Sequence, residues 1–459
     1  MRLEPPHLDP TAGSASAIDE IVYNNIFEGL LYINEDGVAK PLLAKSWKIS
    51  ADAKIYTFTL QSGVVFHNGE SFNSGSVVFN FMRLSAKDST NPRASLYKNI
   101  TSVKALEKNV VQVTLSRPDA NFLYNIALPD AVMVGRSSYK GNKTNPIGTG
   151  PFVFKTSKKG YFVKLIRNPK YYGEMAKVRN IEFKFYADTG AATAVLLSGG
   201  IDAFPVYGDT LSLPVLQAQK SLSVVVGTTE GETLLALNNE HPMLKDIRVR
   251  RALNHAIDKD AVIAVVLQGV GEKIGSHFPP HHPAYFYLSN AYPYDVKKSR
   301  ALLKQAGAQN LELEFSVPPS YEVVAEILSA QLRSVGISVT IKKMDWATWL
   351  NKVFRKKQYD ISVVSHVEPR DYDIYGNIEY YFGYKNKKIG QLLEDVSTAK
   401  TQSATYTVLR TIQKKLSHDA VNVWLYQSPK IGVWKKNLKG LWHNAPVEGT
   451  ILRNVYWAK

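Results

Sequence analysis

Between residues 311 and 365 the pattern of apolar and polar positions switches repeatedly between two periods. Leu311–Val317 repeats at every second residue, as a strand does, and Tyr321–Val335 carries Val324, Ile327, Leu328, Gln331 and Leu332 near helical spacing. Gly336 then stands where a helix carboxyl cap belongs. Ile337–Lys343 alternates again, Asp345 can cap a helix over Trp346–Arg355, and Asp360–Ser365 reads as another strand. This β-α-β-α-β order predicts a parallel sheet with right-handed crossovers. Ligands of such sheets sit outside the carboxyl ends of the strands. Lys343–Trp346 and the polar run His366–Asp373 therefore fall at a crevice mouth.

Elsewhere the signals are shorter. Asn24–Tyr32 reads as a helix end before a turn at 34–37. Ile55–Leu60 and Val64–His67, followed by Asn68-Gly69, read as hairpin strands with a tight turn. Ser74–Ser85 reads as a helix behind a capping serine, with Val77, Val78 and Phe81 inward, and Val110–Leu115 as a further strand. Together these make 36–146 an α+β region distinct from the chain beyond it. Gly148–Phe152 (GTGPF) marks a re-entry where two glycines permit close backbone approach. It resembles a phosphate-binding turn, yet no GKS or GKT comes after it and the Rossmann spacing is missing, so a tight turn is expected. Tyr161–Arg167 and Asn180–Tyr186 read as strands and Gly190–Leu197 as a helix.

Leu234–Asn238 is an apolar strand leading into Ile247–Ile257, where Val249, Ala252, Leu253, Ala256 and Ile257 form one stripe. Asp258 can cap Ala261–Leu267. After a helix over Thr405–Leu416, the strand Val421–Tyr426 returns the chain toward its first half. Two crossings, near 230–238 and 424–434, suit a hinged protein of two lobes. Trp424, Trp434, Trp442 and Trp457 are expected to pack within the lobes.

A chain of 459 residues exceeds one core, so two or three domains are expected. Lys and Arg number 56 against 40 Asp and Glu, a net charge of +16, which raises nucleic acid or anionic surfaces as partners. The basic residues are dispersed in pairs, however, so a solvated basic surface is the reading and no nucleic-acid partner is expected. There is no cysteine, which excludes disulfides, thiolate catalysis and zinc–thiolate sites. Met1–Pro6 lacks the apolar stretch of a signal peptide. Either the protein is cytosolic or a targeting segment has been removed.

Signs of catalysis are weak. No GxSxG or HExxH motif occurs. His277, His281 and His282 lie in GSHFPPHHPAY, a proline-bound loop with poor spacing for a metal, and no metal site is expected. Asp371 and Asp373 could serve as an acid–base pair, but beside Arg370 they suit a ligand clamp better. Trp346 offers a flat wall, His366 a switchable donor, Glu368 an anchor for an ammonium and Arg370 a bidentate partner for a carboxylate. A self-paired surface loop remains the alternative for Glu368–Arg370. Opposite charges in one loop match a peptide, and they match a zwitterionic amino acid too.

Several longer segments then occur in a fixed order: EPPHLDP at Glu4–Pro10, IFEGLLY, GVAKPLLAKSWKIS at Gly37–Ser50, YTFTLQSGVVFHNGESF at Tyr56–Phe72, NPIGTGPF at Asn145–Phe152, NPKYY, and DIRVRRALNHAIDKDAV at Asp246–Val262. With them the chain resembles the peptide/nickel class (family 5) of solute-binding proteins that serve ABC importers. That resemblance implies an α/β, two-lobed periplasmic-binding-protein-like fold (type II, cluster C) with an extra α+β subdomain in lobe one. Lobe one would comprise 1–35, 147–233 and 430–459, the subdomain 36–146, and lobe two 234–429. The implied function is delivery of a peptide-like ligand to an inner-membrane permease by hinge closure, in the periplasm, as a monomer, without catalysis or cofactor. Alternatives are a nickel chelate, opine, sugar conjugate or haem as ligand, or a peptide hydrolase.

In relatives an acid within a WxxDYPDP-like run takes the peptide amino group. Here the run is SHVEPRDYD, so Glu368 is the aligned acid and His366 replaces the expected aromatic. By the same resemblance Trp346 is a wall of the ligand cleft, Tyr426 an aromatic on the returning strand, and Ser14 part of the Thr11–Ala17 loop that lines it.

Overall fold

The computed structural model describes residues 1–459 apart from Arg2, Ser14, Ala187, Pro369 and Lys400. The chain divides into a first unit, Met1–Gly227 with Lys430–Lys459, and a second, Thr228–Pro429. Both boundaries fall inside long strands, Leu222–Leu237 and Val423–Lys435, so each connection is hydrogen-bonding backbone and not a loop.

In the second unit, Glu312–Val317 pairs in parallel with Ser338–Lys343 on one side and with Ile361–His366 on the other. Ile361–His366 in turn lies antiparallel to Glu232–Leu237. The predicted β-α-β-α-β order is therefore observed. Helix Glu322–Ser334 buries Val324, Ala325, Leu328 and Leu332 on one face, and Gly336 adopts φ 95° where the chain turns back. Asp345 does cap the next helix, accepting from the Thr348 N–H. That helix is not uniform: one α turn, Trp346–Trp349, passes into a wider π turn, Leu350–Arg355. Helix Ile247–Ala256 buries Val249, Ala252, Leu253 and Ala256 in the same core.

The first unit contains an antiparallel sheet in the order Ala44–Ile49, Ile55–Leu60, Val110–Leu115, Ile100–Glu107. Helix Ser74–Ser85 packs in this core through the fully buried Val77 and Phe81, with Val78 half-buried. Three sequence expectations are corrected here. The cap of that helix is Asn73, whose side chain accepts from Gly75 while the Ser76 hydroxyl accepts from the Asn73 N–H. Ile55–Leu60 is paired along both edges by other strands, so Val64–His67 makes no hairpin with it and forms only the Val65–Ser71 bridge around the Gly69 turn. The opening helix is Ser16–Val22, and Asn24–Tyr32 lies beyond its end.

A second sheet of this unit runs Phe152–Lys158, Phe162–Arg167, Asn180–Lys184, all antiparallel. The GTGPF re-entry is a close backbone approach: a Cβ on Gly148 or Gly150 would run into the carbonyl oxygens of Ile26 and Asn25. Gly150 and Phe152 donate to those carbonyls at 2.9 Å each. The Asn25 side chain reaches further, donating to Thr450 O at 2.8 Å and accepting from Leu452 N at 3.0 Å. Trp424 and Trp434 are buried as expected, but Trp457 is 45% exposed on the two-residue strand Tyr456–Trp457. Among the described residues no helix is long and apolar enough to cross a membrane.

Candidate functional site

Three stretches of the second unit meet around a small pocket: Thr228–Glu232 of the crossing strand, the 276–282 loop, and the segment just past Ile361–His366. The strand delivers side chains at alternate positions, so Glu230 and Glu232 point to the same side. At the centre is His277. Its Nδ1 lies 2.9 Å from Glu232 and its Nε2 2.5 Å from Asp371, with the Tyr375 hydroxyl 3.2 Å from Nδ1. The ring is hydrogen-bonded to Asp371 through Nε2, whereas Glu232 Oε2 is an ion-pair contact of Nδ1 outside hydrogen-bond geometry. Burial by itself would drive the proton off His277, but Glu232 and Asp371 outweigh it and hold its pKa well above the usual value. Asp371 is correspondingly held far below the carboxylate range, burial opposing and His277 and His366 prevailing. Burial pushes Glu232 up to about 7, with His277 limiting the rise.

The other histidines take different partners. His366 places Nδ1 3.3 Å from Asp371 and Nε2 3.0 Å from the Tyr381 hydroxyl, its ring parallel to Tyr381 within 4°. Burial lowers its pKa against the pull of Asp371. His281 joins Thr228 at 2.7 Å and Glu230 at 2.9 Å. His282 accepts the Ala284 N–H on Nδ1 at 3.0 Å and meets Arg370 Nη2 on Nε2 at 3.1 Å. Burial first, then the Arg370 charge, lowers its pKa far below normal, so the ring is neutral. A neutral imidazole has one acceptor nitrogen, and here both nitrogens face donors, so it cannot satisfy the two contacts together. Arg370 also sits at φ 58°, a left-handed conformation that costs a non-glycine residue about 1 kcal/mol or more.

Of the residues expected from sequence, His366, Glu368, Arg370 and Asp371 fall in this one region, and Glu368 is exposed. Trp346 is 48% exposed and stacks on Trp349, centroids 4.8 Å apart and planes within 3°, without lining the pocket. Tyr426 is 5% exposed and packs in the apolar core of the second unit. Ser14 lies outside the described residues. Glu230, Glu232 and Tyr375 were not singled out by the sequence. His277 and His282 were noted, but only as a loop. Among the described residues no group of three or more His, Asp or Glu is arranged to hold a metal ion.

The sequence pattern of bacterial extracellular solute-binding proteins, family 5, middle, matches residues 38–388. The chain is 31% identical over 343 residues to the nickel-binding periplasmic protein of Escherichia coli (strain K12), covering 69% of this chain and 65% of the relative. It is 29% identical over 387 residues to the dipeptide-binding protein of the same strain, covering 76% and 70%. The chain thus spans about two thirds of the length of these relatives, slightly less for the first. HbpA2 from Haemophilus parasuis matches in structure with a TM-score of 0.90 at 22% identity, covering 100% of this chain and 98% of that one. NikA from Brucella suis, solved with Fe(III)-EDTA, gives 0.83 at 24%, also covering 100% and 98%. At these identities the structural matches establish the fold of periplasmic binding proteins. With more than half its length matched by the family pattern, the chain belongs to the bacterial extracellular solute-binding proteins of family 5.

Proposed function

We propose that this protein is a periplasmic solute-binding protein that captures a peptide-like ligand and hands it to an ABC importer, bending at its two connecting strands. Residues 36–146 then form an accessory subdomain of the first unit, and no catalytic step is assigned. Relatives described as dipeptide-, di/tripeptide- and glutathione-binding proteins support a ligand of this class. The observation that carries the reading is the loop that presents the exposed Glu368 and, two residues on, the Arg370 guanidinium at the edge of the pocket. A ligand carboxylate would meet the Arg370 guanidinium as a bidentate partner, and an ammonium would meet Glu368. Trp346 and His366 would flank the ligand, and bridging water would tolerate varied side chains.

Calorimetric titration with short peptides, free and amino-acetylated, tests this. Glu368→Gln is expected to weaken the free-amine peptides by about 1.5–3 kcal/mol and to leave the acetylated ones unchanged. Equal affinity of variant and parent for the free-amine peptides removes Glu368 from the site. Chromatography of the same mixtures returns the peptides intact if the protein binds without hydrolysis. A nickel chelate is the second reading, favoured by the nickel-binding relative and by the four histidines around the pocket. Each of those rings is already engaged by a protein group, which ranks it second. Titration with a nickel–histidine complex decides between the two.

A further inference from the structure

The excess positive charge is unevenly held. The first unit carries 31 Lys and Arg against 19 Asp and Glu, the second 25 against 21. Within the first unit, nine Lys and Arg but only two acids fall between positions 155 and 184. That stretch belongs to the sheet Phe152–Lys158, Phe162–Arg167, Asn180–Lys184 and the loop before its last strand. Among the described residues, Lys155, Lys158, Lys159, Lys170, Lys177 and Arg179 form no ion pair, while Lys164 meets Glu182 at 3.2 Å. Like charges left together repel, and an anionic partner relieves that repulsion.

The strand register sorts these charges onto one face. Lys158 lies opposite Phe162 and Phe162 opposite Lys184; two positions along, Thr156, Lys164 and Glu182 form the next rung. Side chains two apart on a strand share a face. The other face carries Val163, Leu165 and Phe183, buried in the core of the unit. Lys158, Lys164 and Lys184 therefore stand on the outer face. Where the first two strands join, Lys159, Gly160 and Tyr161 are all exposed, with Gly160 at φ 77° and Tyr161 61% exposed. The Lys158 ammonium lies 4.2 Å from the centre of the Tyr161 ring, and that of Lys164 4.5 Å from the centre of Phe162. One acid reaches this tip: Glu4 accepts the Gly160 N–H at 2.8 Å.

The chemistry of the face selects its partner. Seven of the nine cations are lysine, a point charge without the fixed fork by which arginine grips one carboxylate. Such charges suit a diffuse field of many phosphates better than a matched set of acidic side chains. A tyrosine with an ammonium beside it suits the boundary between water and acyl chains, its hydroxyl and the charge staying wet. We propose that the outer face of the hairpin Phe152–Arg167 docks on an anionic phospholipid membrane. Its lysines face the headgroup phosphates, and Tyr161 enters the headgroup layer. Nothing in this depends on what the pocket of the second unit binds.

Co-sedimentation with phosphatidylcholine vesicles, with and without phosphatidylglycerol, tests this at low and at high salt. The protein is expected to bind only the vesicles that contain phosphatidylglycerol, and less as salt rises. Lys158→Glu together with Lys159→Glu is expected to lower that binding by about tenfold or more. The same charge change at the exposed Lys297 and Lys298, in helix Val296–Gln305 of the second unit, is expected to lower it by less than about twofold. Tyr161→Ala is expected to lower it about threefold and to leave the salt dependence unchanged. Equal losses from the two lysine pairs overturn the proposal, because net charge alone would then be responsible. Absence of binding to the phosphatidylglycerol vesicles at low salt overturns it as well. Polyglutamate is the third arm: if the Lys158/Lys159 variant loses polyglutamate and keeps the vesicles, the face belongs to an acidic protein and the proposal fails.

Discussion

In the first unit, Asp19 and Glu28 are buried, Glu28 among hydroxyls; in the second, Asp371 and Glu232 flank the ring of His277. Burial pushes Asp19 up to about 8, with Glu448 adding to the rise and Arg93 opposing it. It pushes Glu28 up to about 7, tempered by the hydroxyls of Tyr171 at 2.7 Å and Thr149 at 2.8 Å. Asp19 and Glu28 are thus kept inside by holding a proton and Asp371 by holding a charged partner, while Glu232, raised to about 7 beside His277, stands between them. The two arrangements respond oppositely to pH. A carboxyl whose folded pKa is raised costs nothing below its unfolded value near 4, and its cost grows until pH reaches the folded value. Asp371, with its pKa depressed, stabilises above that same unfolded value and loses the contribution as pH falls. His277 stabilises below its unfolded value near 6.5 and loses the contribution as pH rises through its raised one.

The comparison breaks most sharply at Asp371. Asp371→Ala leaves the buried His277 with one carboxylate and is expected to cost about 3–5 kcal/mol at pH 6, measured by denaturant unfolding. A loss under about 1 kcal/mol would mean the ring carries no charge. Next, Asp19→Asn is expected to stabilise the protein by an amount that grows from pH 5 to pH 8, reaching on the order of 2 kcal/mol. A pH-independent difference between the two melting curves would show that Asp19 is ionised throughout. The smallest effect belongs to Glu28→Gln, under about 1 kcal/mol at pH 6, because the acid it replaces is already largely neutral there. A larger loss would place Glu28 beside Asp371 as an acid that holds its charge.

The parallel sheet of the second unit was legible because its signals are local. Asp345 and Gly336 mark helix ends, and the strands between keep their alternation. His366–Asp371 was found for the same reason, as the run beyond a strand end. Glu232 and His277 were not paired from the sequence. Glu232 sits in a polar stretch, TTEGE, whose burial depends on a loop more than forty positions later, and no local period encodes that contact. The hairpin at 55–67 failed in the complementary way. Asn68-Gly69 did mark a true turn, but the partners of Ile55–Leu60 were settled by the sheet on both sides. Asn73 and Ser74 are both good caps, and the choice between them rests on which residue stays extended.

The Asn25 contacts have a consequence for assembly. The second unit is one uninterrupted stretch and is complete as soon as position 429 has been synthesised. The first cannot finish then, because Asn25 still awaits Thr450 and Leu452, and the part of its apolar core that Leu438, Ile451, Leu452 and Val455 complete stays open until they arrive. Contacts of such long sequence separation form late and slowly. A chain released at position 429 would carry a finished second half attached to an unfinished first.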